Sequence, residues 1–247
     1  MAEPPLVNFV IAGVQKGGTT ALFDYLADEP GAALSQVKET HFFDDESRDW
    51  AAPDYADYHA QFDPAGARAC GEATPIYIYW PNALERIRAY NPAMRLIVML
   101  RDPVARAWSH WRMEYARGAE NKPFAWCVRE GRRRLFESEP WGFHREFSYV
   151  ERGFYGEQLE RLFSLFPKEQ VLILKAEDLR REPGEVLARV QRFLDLTPGA
   201  APAPRESHVG REMDYGAEIT SEDTAFLRGL YARDAARLWE LAGVGFD

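Results

Sequence analysis

The stretch from Leu6 to Leu26 constrains this chain more than any other. Leu6 to Val14 is an apolar run broken only by Asn8 and Gly13, too short to span a membrane and of the kind that a strand buried on both faces requires. Gln15-Lys16-Gly17-Gly18-Thr19-Thr20 follows, and then Leu22, Phe23 and Leu26 fall at helical spacing. The chain therefore opens as a strand, a glycine-rich turn carrying a lysine, and a helix. Such a turn makes an anion site. Glycines let the backbone come close, the first helical N–H groups point outward, and the helix dipole favours negative charge. A glycine pair alone marks an ordinary tight turn. Lys16, the two glycines and the hydroxyls of Thr19 and Thr20 together point to a phosphate-type ligand. The usual nucleotide-triphosphate loop, G-x-x-x-x-G-K-[ST], is not what stands here, because Thr19 follows Gly18 and the lysine precedes the glycine pair.

Two further apolar runs, Met94–Leu100 and Gln170–Lys175, predict buried strands, with Ala32–Leu34 and Ala69–Pro75 as shorter candidates. Helices are predicted over Pro53–Phe62, Pro81–Tyr90, from Pro103 past Tyr115, over Phe154–Phe166 and Pro183–Leu194, and from Thr220 to Leu241. Strands alternating with helices imply a parallel sheet covered on both faces, an α/β fold built as a three-layer α/β/α sandwich. The 247 residues suffice for one domain, 1–247, with a substantial core.

A net charge of −9 opposes nucleic acid and acidic membranes, so any anionic ligand needs a local positive site. Cys70 and Cys127 have no metal-ligand spacing, which fits a reduced cytoplasmic protein without a metal site. Met1-Ala-Glu-Pro-Pro carries no basic region, so no signal peptide is expected, and no apolar segment reaches transmembrane length.

Arg101 ends the Met94–Leu100 strand, where open α/β sheets bind ligands; Asp102 is a good helix N-cap and Pro103 a good first helical residue. Ser109 lies two turns on, and an arginine with a serine hydroxyl can hold a phosphate monoester, although either residue alone reads as ordinary surface. In Lys38-Glu39-Thr40-His41-Phe42-Phe43-Asp44, an extended backbone puts Glu39 and His41 on one face and Lys38 and Thr40 on the other. Taken by itself this segment reads as a surface loop plugged by its phenylalanines. Ile76–Trp80 is either core or the wall of an acceptor pocket. The basic run Arg132–Arg134 reads as a solvated helix face. Arg205–Arg211 follows a Pro/Ala/Gly-rich loop and reads either as a connector or as a cover for a bound anion. Thr220-Ser-Glu-Asp223 has the capping-box form.

Together these residues resemble the sulfotransferases that use 3′-phosphoadenosine 5′-phosphosulfate (PAPS), and within them the heparan sulfate branch with its bacterial relatives. The resemblance runs from Asn8 to Phe246. Gly13–Thr20 looks like the family's 5′-phosphosulfate loop, Leu96–Pro103 with Ser109 like its 3′-phosphate site, and Lys38–Phe43 like the segment bearing its glutamate base. Arg152-Gly-Phe-Tyr155 resembles the segment whose tyrosine touches the cofactor, and Val209-Gly210-Arg211 the late loop that closes over it. The resemblance implies a P-loop NTP hydrolase-like fold, PAPS as cofactor and 3′-phosphoadenosine 5′-phosphate (PAP) as product. It implies cofactor contacts from Lys16, Gly17, Gly18, Thr19, Thr20, Arg101, Ser109, Tyr155, Gly210 and Arg211. Lys16 then meets charge on the leaving oxygen and Glu39 takes the acceptor's proton; His41 competes for that role because a cytosolic branch uses histidine.

Two departures bear on the acceptor. Ala73 stands where many eukaryotic members have lysine, and Val209 where several relatives do. With the acidic net charge, these losses make a small or neutral hydroxyl compound (a natural-product intermediate, a lipid or a sugar) the expected acceptor rather than a polyanionic polysaccharide. A cytoplasmic enzyme of bacterial type is expected. The rivals are a P-loop kinase or nucleotide hydrolase, and a catalytically silent nucleotide-binding module on the same fold.

Overall fold

The computed structural model describes residues 6–137, 139–199, 215 and 218–246. These fall into two compact units, one within Met1–Leu100 and Leu162–Ser207, the other within Arg101–Arg161 and His208–Asp247.

The first unit is built on the apolar runs. β1 (Phe9–Gly13) leads to α1 (Thr19–Ala27), β2 (Ala32–Leu34), α2 (Ala56–His59), β3 (Ala69–Ala73), α3 (Ala83–Tyr90) and β4 (Arg95–Leu100). The five strands, with β5 (Val171–Lys175), form one sheet in the order β2-β3-β1-β4-β5, every pairing parallel. β1, β3 and the last five residues of β4 are buried, which is why they carry so few polar side chains. Phe9, Ile11, Ile97 and Met99 face a core shared with Leu22, Tyr25 and Leu26 of α1 and with α7 (Ala176–Arg181) and α8 (Pro183–Phe193). Glu72 points to the opposite face, where Tyr58 of α2 reaches it at 3.1 Å and meets Tyr90 of α3 edge-on at 5.6 Å. Helices thus cover both faces, and the fold is the expected α/β/α sandwich. Chain order reverses at β1, which lies between β3 and β4, so the carboxyl end of β1 is the topological switch point.

The second unit holds α4 (Pro103–Arg117), α5 (Phe124–Val128), the start of α6 (Tyr155–Leu165) and α9 (Ser221–Ala242). Its core gathers Val104, Ala107 and Trp111 of α4 with Phe124, Tyr149, Val150, Leu227 and Tyr231. Both helix starts read from the sequence are present. The Asp102 carboxylate accepts from Ala105 N at 2.7 Å ahead of Pro103, and Thr220 Oγ1 accepts from Asp223 N at 3.0 Å. Asp234 of α9 receives the N–H groups of Gly156 and Glu157 at 2.8 and 2.9 Å and so caps α6.

Two readings need correction, and one alternative is decided. The Pro53–Phe62 helix shrinks to Ala56–His59, because Asp54 takes Ala56 N in a local turn. Ile76–Trp80 is turn backbone buried throughout and belongs to the core. Arg132–Arg134 is not a solvated helix face: the run is a 3-10 turn in which Arg134 pairs with buried Glu120 at 2.8 Å and Arg132 with Glu151 at 2.7 Å. Glu120 also receives Tyr149 Oη at 3.1 Å and the N–H groups of Asn121 and Lys122.

Candidate active site

The turn after β1 is pressed against the end of β4. Val14 N donates to Met99 O at 2.9 Å and Gly17 N to Val14 O at 2.9 Å. A Cβ on Gly17 would stand 2.3 Å from Met99 O, so only glycine fits. Lys16 has φ +68° and Gly18 φ +89°, a left-handed pair of positions flanking Gly17. Gly18 is the N-cap of α1, and no side chain caps that helix. The first N–H groups of α1 are therefore left to a ligand or water at the switch point, beside buried Thr19 and half-buried Thr20.

Glu39 and His41 lie in irregular backbone at the same, carboxyl edge of the sheet, where Ala73 N of β3 donates to Lys38 O at 3.3 Å. The structure brings the two together: His41 Nε2 is 3.5 Å from Glu39 Oε2. Lys38 also reaches Glu39, Nζ to Oε1 at 2.6 Å, because the segment is not extended and its side chains do not alternate. His41 Nδ1 stands 3.0 and 3.2 Å from the two carboxylate oxygens of Asp44, which is fully buried. Hydrogen bonds to Asp44, then to Glu39, push the His41 imidazole up to about 9. Partial burial pushes the Glu39 carboxyl up, but His41 and Lys38 outweigh it and hold the group down at about 2. At neutral pH this is an imidazolium between two carboxylates. Asp44 was missed in the sequence because its partner is defined only by a turn; its one signal is an acid three residues after a histidine.

In the second unit, Arg101 directly follows β4, and its carbonyl accepts the hydroxyl of Tyr155 at 2.8 Å. Tyr155 is buried, and burial raises its pKa. Its hydroxyl is thus spent on fixing the Arg101 backbone. Asp102 caps α4 and pairs with Arg228 of α9 at 2.7 Å. Ser109 is half-buried on α4. Gly210 and Arg211 lie outside the described residues.

A sulfotransferase domain model matches residues 7–208. The chain belongs to the sulfotransferase family. It is 32% identical over 191 residues to human heparan sulfate glucosamine 3-O-sulfotransferase 3B1, covering 77% of this chain and 46% of that protein. The chain spans about half the length of the curated relatives it matches. It also matches the crystal structure of a sulfotransferase from Alicyclobacillus acidocaldarius at 27% identity and a TM-score of 0.80, covering 100% of this chain and 98% of that one. Mouse sulfotransferase SULT7A1, solved with PAP, shares the fold at 12% identity and a TM-score of 0.52, over 94% of this chain and 85% of that chain. The sulfotransferase family uses PAPS as donor, and the β1–α1 turn fits a phosphosulfate: its backbone leaves no room for a Cβ at Gly17, and α1 starts without a side-chain cap. Among the described residues, no helix is long and apolar enough to cross a membrane.

Proposed function

We propose that this chain transfers a sulfuryl group from PAPS to an acceptor hydroxyl by in-line displacement, with Glu39 as the base. The observation that carries the reading is Glu39 itself. It is held as a carboxylate by Lys38 and the His41 imidazolium, at the same sheet edge as the Lys16 turn.

PAPS supplies the sulfuryl group and a phosphate leaving group. The N–H groups around Gly17, Gly18, Thr19 and Thr20 bind its 5′-phosphosulfate, and Lys16 meets the charge that develops there. Arg101 and Ser109 take the 3′-phosphate, the first positioned by Tyr155; Gly210 and Arg211 complete the set. Glu39 accepts the acceptor's proton, whereas His41, already protonated, orients Glu39. The acceptor is a small or neutral hydroxyl compound, a sugar, a lipid or a natural-product intermediate, in keeping with Ala73 and the net charge of −9. We read 1–247 as one sulfotransferase domain, since the family match runs through both units. A cytoplasmic enzyme of bacterial type agrees with two free, buried cysteines and the full-length match to the Alicyclobacillus protein.

The test is a transfer assay with sulfur-labelled PAPS over sugar, lipid and phenolic hydroxyls, with and without magnesium. Magnesium-independent labelling of at least one class, with PAP formed in equal amount, supports the reading. Magnesium-dependent turnover of ATP instead would make the chain a P-loop kinase or hydrolase. PAP binding without transfer to any class would make it a silent module.

A further inference from the structure

Nothing so far assigns a task to Glu72, a carboxyl group fully buried in β3. Buried carboxyl groups persist only when their lone pairs are filled, and here three hydroxyls fill them. Thr74 Oγ1 donates to Oε2 at 2.5 Å, and Tyr58 and Tyr77 each donate to Oε1 at 3.1 Å.

Proton accounting gives two of these hydroxyls a second role. Thr40 N–H donates to Thr74 Oγ1 at 3.1 Å, so Thr74 must send its own proton elsewhere, and Glu72 takes it. Phe43 N–H donates to Tyr77 Oη at 3.3 Å, so the tyrosine proton likewise goes to Glu72. The Thr40 hydroxyl, 3.1 Å from Tyr77 Oη, then donates to it. Burial pushes the Glu72 carboxyl up and the hydrogen bonds it accepts, first that from Thr74, pull it back. Because both of its oxygens accept from hydroxyls, Thr74 and Tyr77 are left free to accept backbone N–H groups. The two N–H groups bracket the turn that carries His41, and Thr40 adjoins Glu39. That backbone is irregular, with His41 at φ +51°, so no ladder of a strand or helix holds it.

We infer that Glu72 is a positioning residue that, through the Thr74 and Tyr77 hydroxyls, fixes residues 40–43 and so the place where Glu39 presents its carboxylate. This deepens the proposed function and rests on Glu39 being the base. Buried networks of this kind act as a unit, so removing one member loosens the others.

The test pairs Thr74→Val, which keeps the shape and loses the hydroxyl, with Thr74→Ser, which keeps the hydroxyl. Three quantities are read: PAP affinity by calorimetry, kcat and KM for transfer, and the NMR titration of the His41 imidazole. Thr74→Val should leave PAP affinity unchanged, lower kcat by about 10–100-fold through misplacement of the base, and lower the His41 midpoint. Thr74→Ser should restore both. In a Glu39→Gln background Thr74→Val should cost nothing further, because both changes act through one group. Glu72→Gln should match Thr74→Val; if that variant does not fold, the Thr74 pair still decides. A full additional loss in the Glu39→Gln background, or an unmoved His41 titration with normal kcat, overturns the inference. A wild-type protein without transfer activity would instead overturn the assignment of Glu39, while the His41 titration still shows whether the Thr74 hydroxyl holds the segment.

Discussion

The imidazole of His41 rests on the fully buried carboxylate of Asp44, Nδ1 to Oδ2 at 3.0 Å. The pairing favours Glu39 over His41 as the proposed base. A group that keeps its proton up to about 9 cannot accept another at neutral pH, whereas Glu39, held down at about 2, is ionised there. Transfer should therefore be flat from neutral to mildly acid pH, with no fall near the ordinary histidine value of 6.5. A rate–pH profile with a titration at that value would return the role to His41.

Glu39→Gln should bind PAP normally and lose about 10²-fold or more in kcat, since the amide cannot take a proton. His41→Asn should cost less, because it removes only the group that orients Glu39. Steady-state kinetics and calorimetry on both variants check this; a dead His41→Asn beside an active Glu39→Gln reverses the assignment.

The same pair makes stability depend on pH with a defined sign. The His41 pKa is raised on folding, so its stabilisation is complete below 6.5 and is lost as pH rises through about 9. The Glu39 pKa is lowered, so its share is complete above 4.5 and is lost as pH falls through about 2. The Tm difference between wild type and His41→Asn should be greatest between about pH 4.5 and 6.5 and shrink as pH rises through about 9. Both side chains are partly exposed, so added salt should shrink the difference. Thermal melts across this range measure it.

Lys16→Ala should lower kcat by about 10²–10³-fold while weakening PAP less, because its charge acts mainly as the leaving oxygen gains charge. Gly17→Ala should instead lose PAP binding together with stability, since the added Cβ meets Met99 O at 2.3 Å. Normal turnover in Lys16→Ala would reduce Lys16 to a turn residue.

The 3′-phosphate should dominate nucleotide recognition. Charge-assisted hydrogen bonds are worth about 1.5–3 kcal/mol each, so PAP should bind at least about tenfold more tightly than AMP. Arg101→Ala should erase most of that preference. Equal affinities of the wild type for PAP and AMP, read by calorimetry, would remove Arg101 and Ser109 from the site.

Legibility in the sequence followed the range of the forces involved. β1, β4 and β5 were readable because a strand buried on both faces must be apolar, and the Asp102 and Thr220 caps because capping acts within three residues. The Lys16 turn was readable for the same local reason, whereas Glu39 and His41 meet in a segment that is not extended, with Lys38 also on Glu39. What escaped was long-range. Arg134 looked solvated until Glu120, fourteen positions away, was beside it. Glu72 carried no signal of its own within Ala69–Pro75; Tyr58, fourteen residues before it, and Tyr77, five after, bond to it. In each case the partners sit in different segments of the chain, so no period within one element announces the contact.

β5 joins the sheet beside β4, yet Val171 comes long after Leu100 in the chain. A ribosome at its usual pace of about 5–20 residues per second delivers β1 to β4 several seconds before their last neighbour exists. During that interval Leu96-Ile-Val-Met-Leu100 is an apolar strand with one unpaired edge. Nascent chains halted before Val171 should aggregate or recruit chaperones, and those released after Lys175 should not.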